Sequence, residues 1–326
     1  MIITVTVNPG LDLTYTFATS SADEDVQRAA KSTLEASGKG VNISRALAKV
    51  GVSTCAVLPV GGATGRALVE LLDDEGVTHR ATRQAGETRV NTTALRPGGE
   101  TVKLNGPGAA LSSAEQDDLL HETAVALEDA RKHAKGTVWL AICGSLPPGV
   151  DSRLIVAMVD LAHRHGAKCA VDASGPALAA ALGAGADLLA PNRLELADVS
   201  PLASVSGPIE QLADAARTLS LETGAELLIS LGRDGALYTD GRHVIHGGGP
   251  ALTPVNTAGA GDALLAGWLA NDGEPRTRLS RAIAWGRSAC LAETTVDPAP
   301  GTGDTAPITV VDLDWSAVTE PTSGTV

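Results

Sequence analysis

Apolar positions along the chain switch between two periods. Ile2, Ile3, Val5 and Val7, interleaved with threonine, predict a buried first strand that stops at Asn8-Pro-Gly-Leu-Asp12. Leu13 to Phe17 alternates again, whereas the polar stretch from Ala22 to Lys31 predicts an exposed flap. Glycines before Val41, Leu47 and Val50 introduce a helix, Cys55 to Val60 reads as a strand, and Thr64 to Gly76 reads as a helix. Thr88 to Leu95, the Pro97-Gly-Gly turn and Glu100 to Leu104 predict a hairpin. From Ser112, whose Ser-Ser-Ala-Glu pattern is a capping box, the period alternates between helix and strand. Strands are expected at 137–143, 168–172, 187–190, 226–231 and 236–239. Helices are expected at 112–132, 154–165, 178–182, 209–222, from Asp262, and at 278–293.

Strands alternating with helices predict an α/β fold with a doubly wound, mostly parallel sheet. In such sheets ligands meet the carboxyl ends of the strands. Polar stops at Asp12, Ser145, Asn192, Gly232 and the loop before Asp262 are therefore expected to share one edge. The flap and the hairpin together suggest a small lid. No internal repeat or domain linker stands out, and the composition beyond about residue 312 reads as a tail.

The stretch Pro254-Val-Asn-Thr-Ala-Gly-Ala-Gly-Asp262 joins a run of small residues to an apolar helix. Small residues let backbone N–H groups converge, and a helix start adds unpaired N–H groups and partial positive charge. This combination is an anion site suited to a phosphoryl group. Asp262 has two readings, a helix cap or a general base beside the phosphate. The dinucleotide fingerprint fails because Leu264 stands where a third glycine is needed, and no P-loop Gly-Lys-Ser/Thr triplet occurs. Lys39, between two glycines at another helix start, is a second candidate ligand contact. Arg89 reads by default as a solvated edge charge.

Composition narrows the partners. With 25 Lys plus Arg against 38 Asp plus Glu, the net charge of −13 disfavours nucleic acid and anionic membranes. Only 2% of residues are aromatic, which leaves no stacking platform for single strands. The four cysteines are dispersed and the histidines form no zinc motif, so reduced thiols and a cytoplasmic protein are expected. The first residues lack a signal-peptide pattern, and no stretch has the length of a membrane span.

Taken in order, these stretches resemble the PfkB (ribokinase-like) family of carbohydrate kinases from about Val5 to Glu293. Gly259-Ala-Gly-Asp262 looks like its C-terminal signature and Ser37-Gly-Lys-Gly-Val-Asn42 its N-terminal one. Asn8-Pro-x-x-Asp12 is similar to the branch acting on phosphorylated hexoses. Thr88-Arg-Val-Asn91 with Leu104-Asn-Gly-Pro-Gly108 looks most like 1-phosphofructokinases, with tagatose-6-phosphate kinases as siblings.

The resemblance implies a single kinase domain over 1–315, a β lid from about 13–36 and 87–106 that often packs in a homodimer, and a tail at 316–326. It implies ATP with Mg²⁺ and phosphorylation of the 6-hydroxyl of fructose 1-phosphate. Tagatose 6-phosphate or fructose 6-phosphate are the alternative substrates, and a non-catalytic sugar-phosphate sensor is a further alternative. Asp262 matches the catalytic base, and the backbone from Ala258 through Gly259, Ala260 and Gly261 matches the anion hole. Asn192 and Glu195 match positions that place Mg²⁺ through water, while Ser230, Gly232, Gly235 and Thr257 match the nucleotide side. Asp12, Gly38 and Asn42 match sugar-hydroxyl positions. Lys39, Arg89 and Ser145 match positions near the substrate phosphate, and Arg28 corresponds to a basic lid residue. The flap lacks the glycine common in relatives, and Asn256 stands where Ser or Asp is frequent.

Overall fold

The computed structural model describes residues 1–18, 26–97, 101–304 and 306–313. Its strands are β1 (Ile2–Thr6), β2 (Gly10–Thr16), β3 (Lys31–Ser37), β4 (Thr54–Val60), β5 (His79–Arg83), β6 (Arg89–Leu95), β7 (Thr101–Leu104), β8 (Trp139–Cys143), β9 (Lys168–Asp172), β10 (Leu188–Leu189), β11 (Glu226–Ser230), β12 (Ala236–Thr239), β13 (Val244–Gly248) and β14 (Thr309–Asp312). Its helices are α1 (Lys39–Lys49), α2 (Gly62–Asp74), α3 (Ser113–His133), α4 (Arg153–Arg164), α5 (Gly175–Gly183), α6 (Arg193–Val199), α7 (Ile209–Thr223), α8 (Ala260–Leu269) and α9 (Pro275–Leu291).

Ten strands form one sheet in the order β14-β13-β12-β11-β10-β9-β8-β1-β4-β5. Pairing is parallel from β11 to β5 and antiparallel from β11 out to β14. The expected mostly parallel sheet is therefore present, with an antiparallel extension. β5, β13 and β14 escape the periodicity argument. β5 is an edge strand, His-Arg-Ala-Thr-Arg, with one buried position, and β13 ends in two glycines. Neither carries the apolar alternation that marks a half-buried strand.

Successive side chains of a strand point to opposite faces. Ile3 and Val5 of β1 pack with Leu119, Leu127 and Met158 from α3 and α4. Ile2 packs on the other face with Trp139, Trp268 and Leu279. Thr4 and Thr6 are buried as well, so both faces of β1 are covered although threonine alternates with its apolar residues. The capping box of α3 forms as expected, with Ser112 and Glu115 each bonded to the other's backbone N–H.

A second sheet, ordered β3-β2-β6-β7, sits apart from the first. The 88–104 hairpin is present as antiparallel β6 and β7. Asp12 does not lie beyond a strand of the large sheet. It lies inside β2, where Asn91 and Glu35 are its cross-strand neighbours. The chain after β1 turns directly into this second sheet, so one run of sequence serves both. The expected tail at 316–326 and residues 19–25 of the expected flap lie outside the described residues.

Candidate active site

Four parts of the fold converge on a cleft of about 480 Å³. The large sheet contributes Asp172, Asn192, Glu195 and Ser230 at or just beyond the carboxyl ends of β9, β10 and β11. The small sheet contributes Asp12, Asn91, Thr93 and Lys103, with Asn105 just beyond it. The start of α8 contributes Ala258, Gly259, Gly261 and Asp262, and Lys39 begins α1.

The start of α8 bears on the cap reading of Asp262. Gly259, not Asp262, is the N-cap, and its φ of 76° needs the freedom of glycine. A Cβ there would stand 2.2 Å from the Thr295 carbonyl oxygen. Asp262 falls within the first turn, is buried, and accepts a hydrogen bond from Asn42 Nδ2 at 2.7 Å. Burial, followed by the charge of Asp172, pushes its carboxyl up to about 7, against the opposing pull of Asn42 and Lys39. The Ala258 N–H donates to Asn256 Oδ1 at 2.9 Å, and so the free helix-start donors that can face an anion begin at Gly259.

Lys39 is already engaged. Its Nζ lies 2.6 Å from Asp172 Oδ1. Burial alone would lower the lysine's proton affinity, but the Asp172 charge and hydrogen bond outweigh it and the net shift is upward. Asp172 was not singled out in the sequence, although it is a charged end to the buried strand Lys-Cys-Ala-Val-Asp. Asn91, Thr93, Lys103 and Asn105 were missed as well. Their signal is the period-2 alternation of the hairpin, which places Asn91 and Thr93 on the same face as Asp12.

Asn192 and Glu195 form a capping box on α6. The Asn192 N–H donates to Glu195 Oε2 at 2.8 Å, and the Glu195 N–H donates to Asn192 Oδ1 at 2.9 Å. Both side chains still line the cleft. Among the described residues no three His, Cys, Asp or Glu side chains cluster as a metal site. Ser230 bridges to Asn192 between strand ends.

Other expected residues sit elsewhere. Asn42 is behind Asp262 rather than in the cleft, and its Oδ1 is buried without a partner. Gly38 is required by packing: its φ is 125°, and a Cβ would stand 2.7 Å from Thr6 Cγ2. Arg89 is half-buried, not a solvated edge charge, and donates to the Gly106 carbonyl while its Nε lacks a partner. Gly235 lets the chain turn beside Gly247, whose carbonyl oxygen would be 2.0 Å from a Cβ. Arg28, Ser145 and Thr257 are exposed, and with Gly232 and Ala260 they stand outside the cleft lining. The four cysteines are free thiols; burial raises the Cys143 and Cys169 thiols, which suits packing rather than nucleophilic roles. Among the described residues no helix is long and apolar enough to cross a membrane.

Comparison with known proteins places this geometry in context. The profile described as pfkB family carbohydrate kinase matches residues 9–294. A protein named 1-phosphofructokinase from Rhodobacter capsulatus is 34% identical, over 82% of each chain. The ATP-dependent 6-phosphofructokinase isozyme 2 of Escherichia coli K12 is also 34% identical, over 81% of this chain and 83% of its own. The structure of phosphofructokinase-2 from Escherichia coli in complex with substrates and products superposes with a TM-score of 0.82 at 31% identity, covering 91% of this chain and 95% of the other.

Proposed function

The chain belongs to the pfkB family of carbohydrate kinases, and from that premise we propose that it transfers the γ-phosphoryl group of ATP to the 6-hydroxyl of fructose 1-phosphate. The observation that carries this reading is the placement of one buried carboxylate, Asp262, in the first turn of a helix whose start opens on the same cleft as Lys39 and Lys103.

Each part has a task. Asp262, ionised, takes the proton of the attacking hydroxyl, and Asn42 holds its carboxylate in place. The N–H groups from Gly259 to Gly261 receive the charge of the transferring group. Lys39 and Lys103 offset the sugar phosphate and the nucleotide phosphates, which supplies locally the positive charge that the acidic chain lacks as a whole. Asp12 is held rigidly by Ser37 at 2.6 Å and Asn91 at 2.9 Å, and its carboxylate is suited to orient sugar hydroxyls. Phosphoryl transfer depends mainly on such positioning and charge compensation.

A divalent cation fits the donor set if it is held largely through water and phosphate oxygens, as Mg²⁺ commonly is. Glu195 and Asn192 are the residues that would hold it, and bound Mg²⁺ would offset phosphate charge. One carboxylate oxygen of Glu195 is committed to its own helix, which supports indirect rather than direct coordination.

Fructose 6-phosphate is the second reading, favoured by the likeness to 6-phosphofructokinase isozyme 2. Lid motifs Thr88-Arg-Val-Asn91 and Leu104-Asn-Gly-Pro-Gly108 favour the first. The deciding experiment is ADP release with Mg·ATP against fructose 1-phosphate, fructose 6-phosphate, tagatose 6-phosphate and free fructose. A preference for fructose 1-phosphate is expected. Preference for a 6-phosphate would retain Asp262 as base and move the phosphate pocket, and tight sugar-phosphate binding without turnover would make the protein a sensor.

The small sheet also supplies a surface for self-association. Its register places Leu13, Leu34, Thr92 and Leu104 in one row and Tyr15, Ala94 and Val102 in the next, on the face opposite Asp12, Asn91 and Thr93. Leu34, Val90, Val102 and Leu104 are exposed there. We infer a homodimer through this face, because an apolar sheet face of this kind is ordinarily covered.

A further inference from the structure

Glu35 is a buried carboxylate on β3, directly across from Asp12. Its Oε1 accepts from Arg45 Nη2 at 3.2 Å, and its Oε2 accepts from the backbone N–H of Thr295 at 3.2 Å. Arg45 is itself buried and holds Glu75 through two further bonds, at 2.8 Å and 2.5 Å. A purely structural ion pair would need only the Arg45 side of this arrangement. The second oxygen instead reaches a residue 260 positions away whose carbonyl packs on the N-cap of α8, where it would meet any Cβ placed on Gly259.

The segment around Thr295 is gripped from both sides. Lys31, also on β3, pairs with Glu293 at 2.7 Å. The Val255 and Asn256 N–H groups, just before the anion loop, donate to the Cys290 carbonyl. Thr295 also borders the narrow space behind Asp262 and Asn42. One carboxylate thus connects the sheet that carries Asp12 to the loop that carries the phosphoryl-binding N–H groups.

We propose that Glu35 is a positioning residue for phosphoryl transfer, fixing the Gly259–Asp262 turn relative to the sugar-covering sheet through the Thr295 amide. The proposal rests on the kinase reading above for its kinetic consequence but not for its structural one. A glutamine at position 35 has a single acceptor oxygen, so its amide group would face either the guanidinium or the Thr295 N–H as donor against donor. An aspartate keeps the charge toward Arg45 and withdraws the carboxylate by one methylene.

The test compares wild type, Glu35→Gln, Glu35→Asp and Glu75→Gln. Steady-state kcat and KM for the sugar phosphate are measured beside amide hydrogen exchange over 263–266, where the first intrahelical bonds of α8 form. Both Glu35 variants are expected to lose about tenfold to a hundredfold in kcat with KM changed by no more than about twofold. Exchange at 263–266 should rise in Glu35→Asp. Glu75→Gln, which breaks the other arm of Arg45, should lower the melting temperature and leave kcat and that exchange unchanged. Unchanged kcat and exchange in Glu35→Asp, or equal losses in Glu75→Gln, would overturn the proposal. Absence of turnover in the wild type would instead remove the kinase reading, and the exchange data would still decide the role of Glu35.

Discussion

The ammonium of Lys39 and the carboxylate of Asp172 meet at 2.6 Å, so the cation expected to receive substrate phosphate already has a partner before substrate arrives. Both groups act on Asp262. Asp172 raises its proton affinity and Lys39 lowers it, in each case through space. A substrate phosphate that draws Lys39 toward itself must therefore compete with Asp172.

That coupling predicts the acid limb of the pH–rate profile. As the proposed base, Asp262 acts only when ionised, and with its carboxyl pushed up to about 7 the wild-type kcat/KM should rise through neutral pH. Asp172→Asn removes a like charge and leaves Lys39 unneutralised. The acid limb should then move to lower pH, by about one unit. A profile that stays in place would separate Asp172 from the base.

Asp262→Asn should reduce kcat by about 10²- to 10⁴-fold, the usual contribution of a general base. Its effect on stability has the opposite sign from that of most core polar substitutions. The folded-state carboxyl titrates at about 7 against an ordinary 3.8, so the folded chain holds this proton more tightly than the unfolded one. Stability is therefore lost as pH rises from about 4 through 7, and the cost is fully present above that. Asparagine removes this cost and can still bond to Asn42. The melting temperature of Asp262→Asn at pH 8 should equal or exceed that of wild type, with the advantage fading at pH 5. Thermal scans at the two pH values check this directly.

Gly259→Ala tests the anion loop without touching a charged group. The left-handed backbone alone should cost about 1–2 kcal/mol, and the Thr295 carbonyl leaves no room for the new methyl group. Both stability and kcat should fall, in contrast to Asp262→Asn. Gly261→Ala is the matched control, because a Cβ there meets nothing within 4 Å. Its melting temperature should stay near wild type, which denaturation curves for the two variants will show.

The parts of the site that were legible in the sequence are those that local chain chemistry defines. A small-residue loop before an apolar run exposes N–H groups wherever it folds, so Gly259 to Asp262 could be recognised without a structure. The same holds for Lys39 between its glycines. Asp172 was not legible, because its importance comes from Lys39, 133 positions away. Asn42 was visible as a motif residue, but its bond to Asp262 spans 220 positions and has no local signal. Asp12, expected at a strand end of the large sheet, lies inside a strand of the small one, since a turn at Pro9-Gly10 reads alike whether a strand ends there or a new one begins.

The outer face of the small sheet gives a prediction about assembly. Leu34 and Leu104 stand on opposite edge strands of that sheet, 45% and 64% exposed, with Leu13 and Thr92 between them in the same row. Their side chains point away from the cleft, so a charge placed there should not disturb Asp12, Asn91 or Lys103 directly. Leu34→Asp and Leu104→Asp together would set carboxylates against an apolar partner surface, where an unpaired charge is costly to bury. Light scattering after size exclusion should show a dimer in the wild type and a monomer in the double variant. If the variant stays dimeric, the interface lies elsewhere. If it becomes monomeric and also loses sugar-phosphate affinity while the circular dichroism is unchanged, the dimer contact supports the cleft side of the same strands.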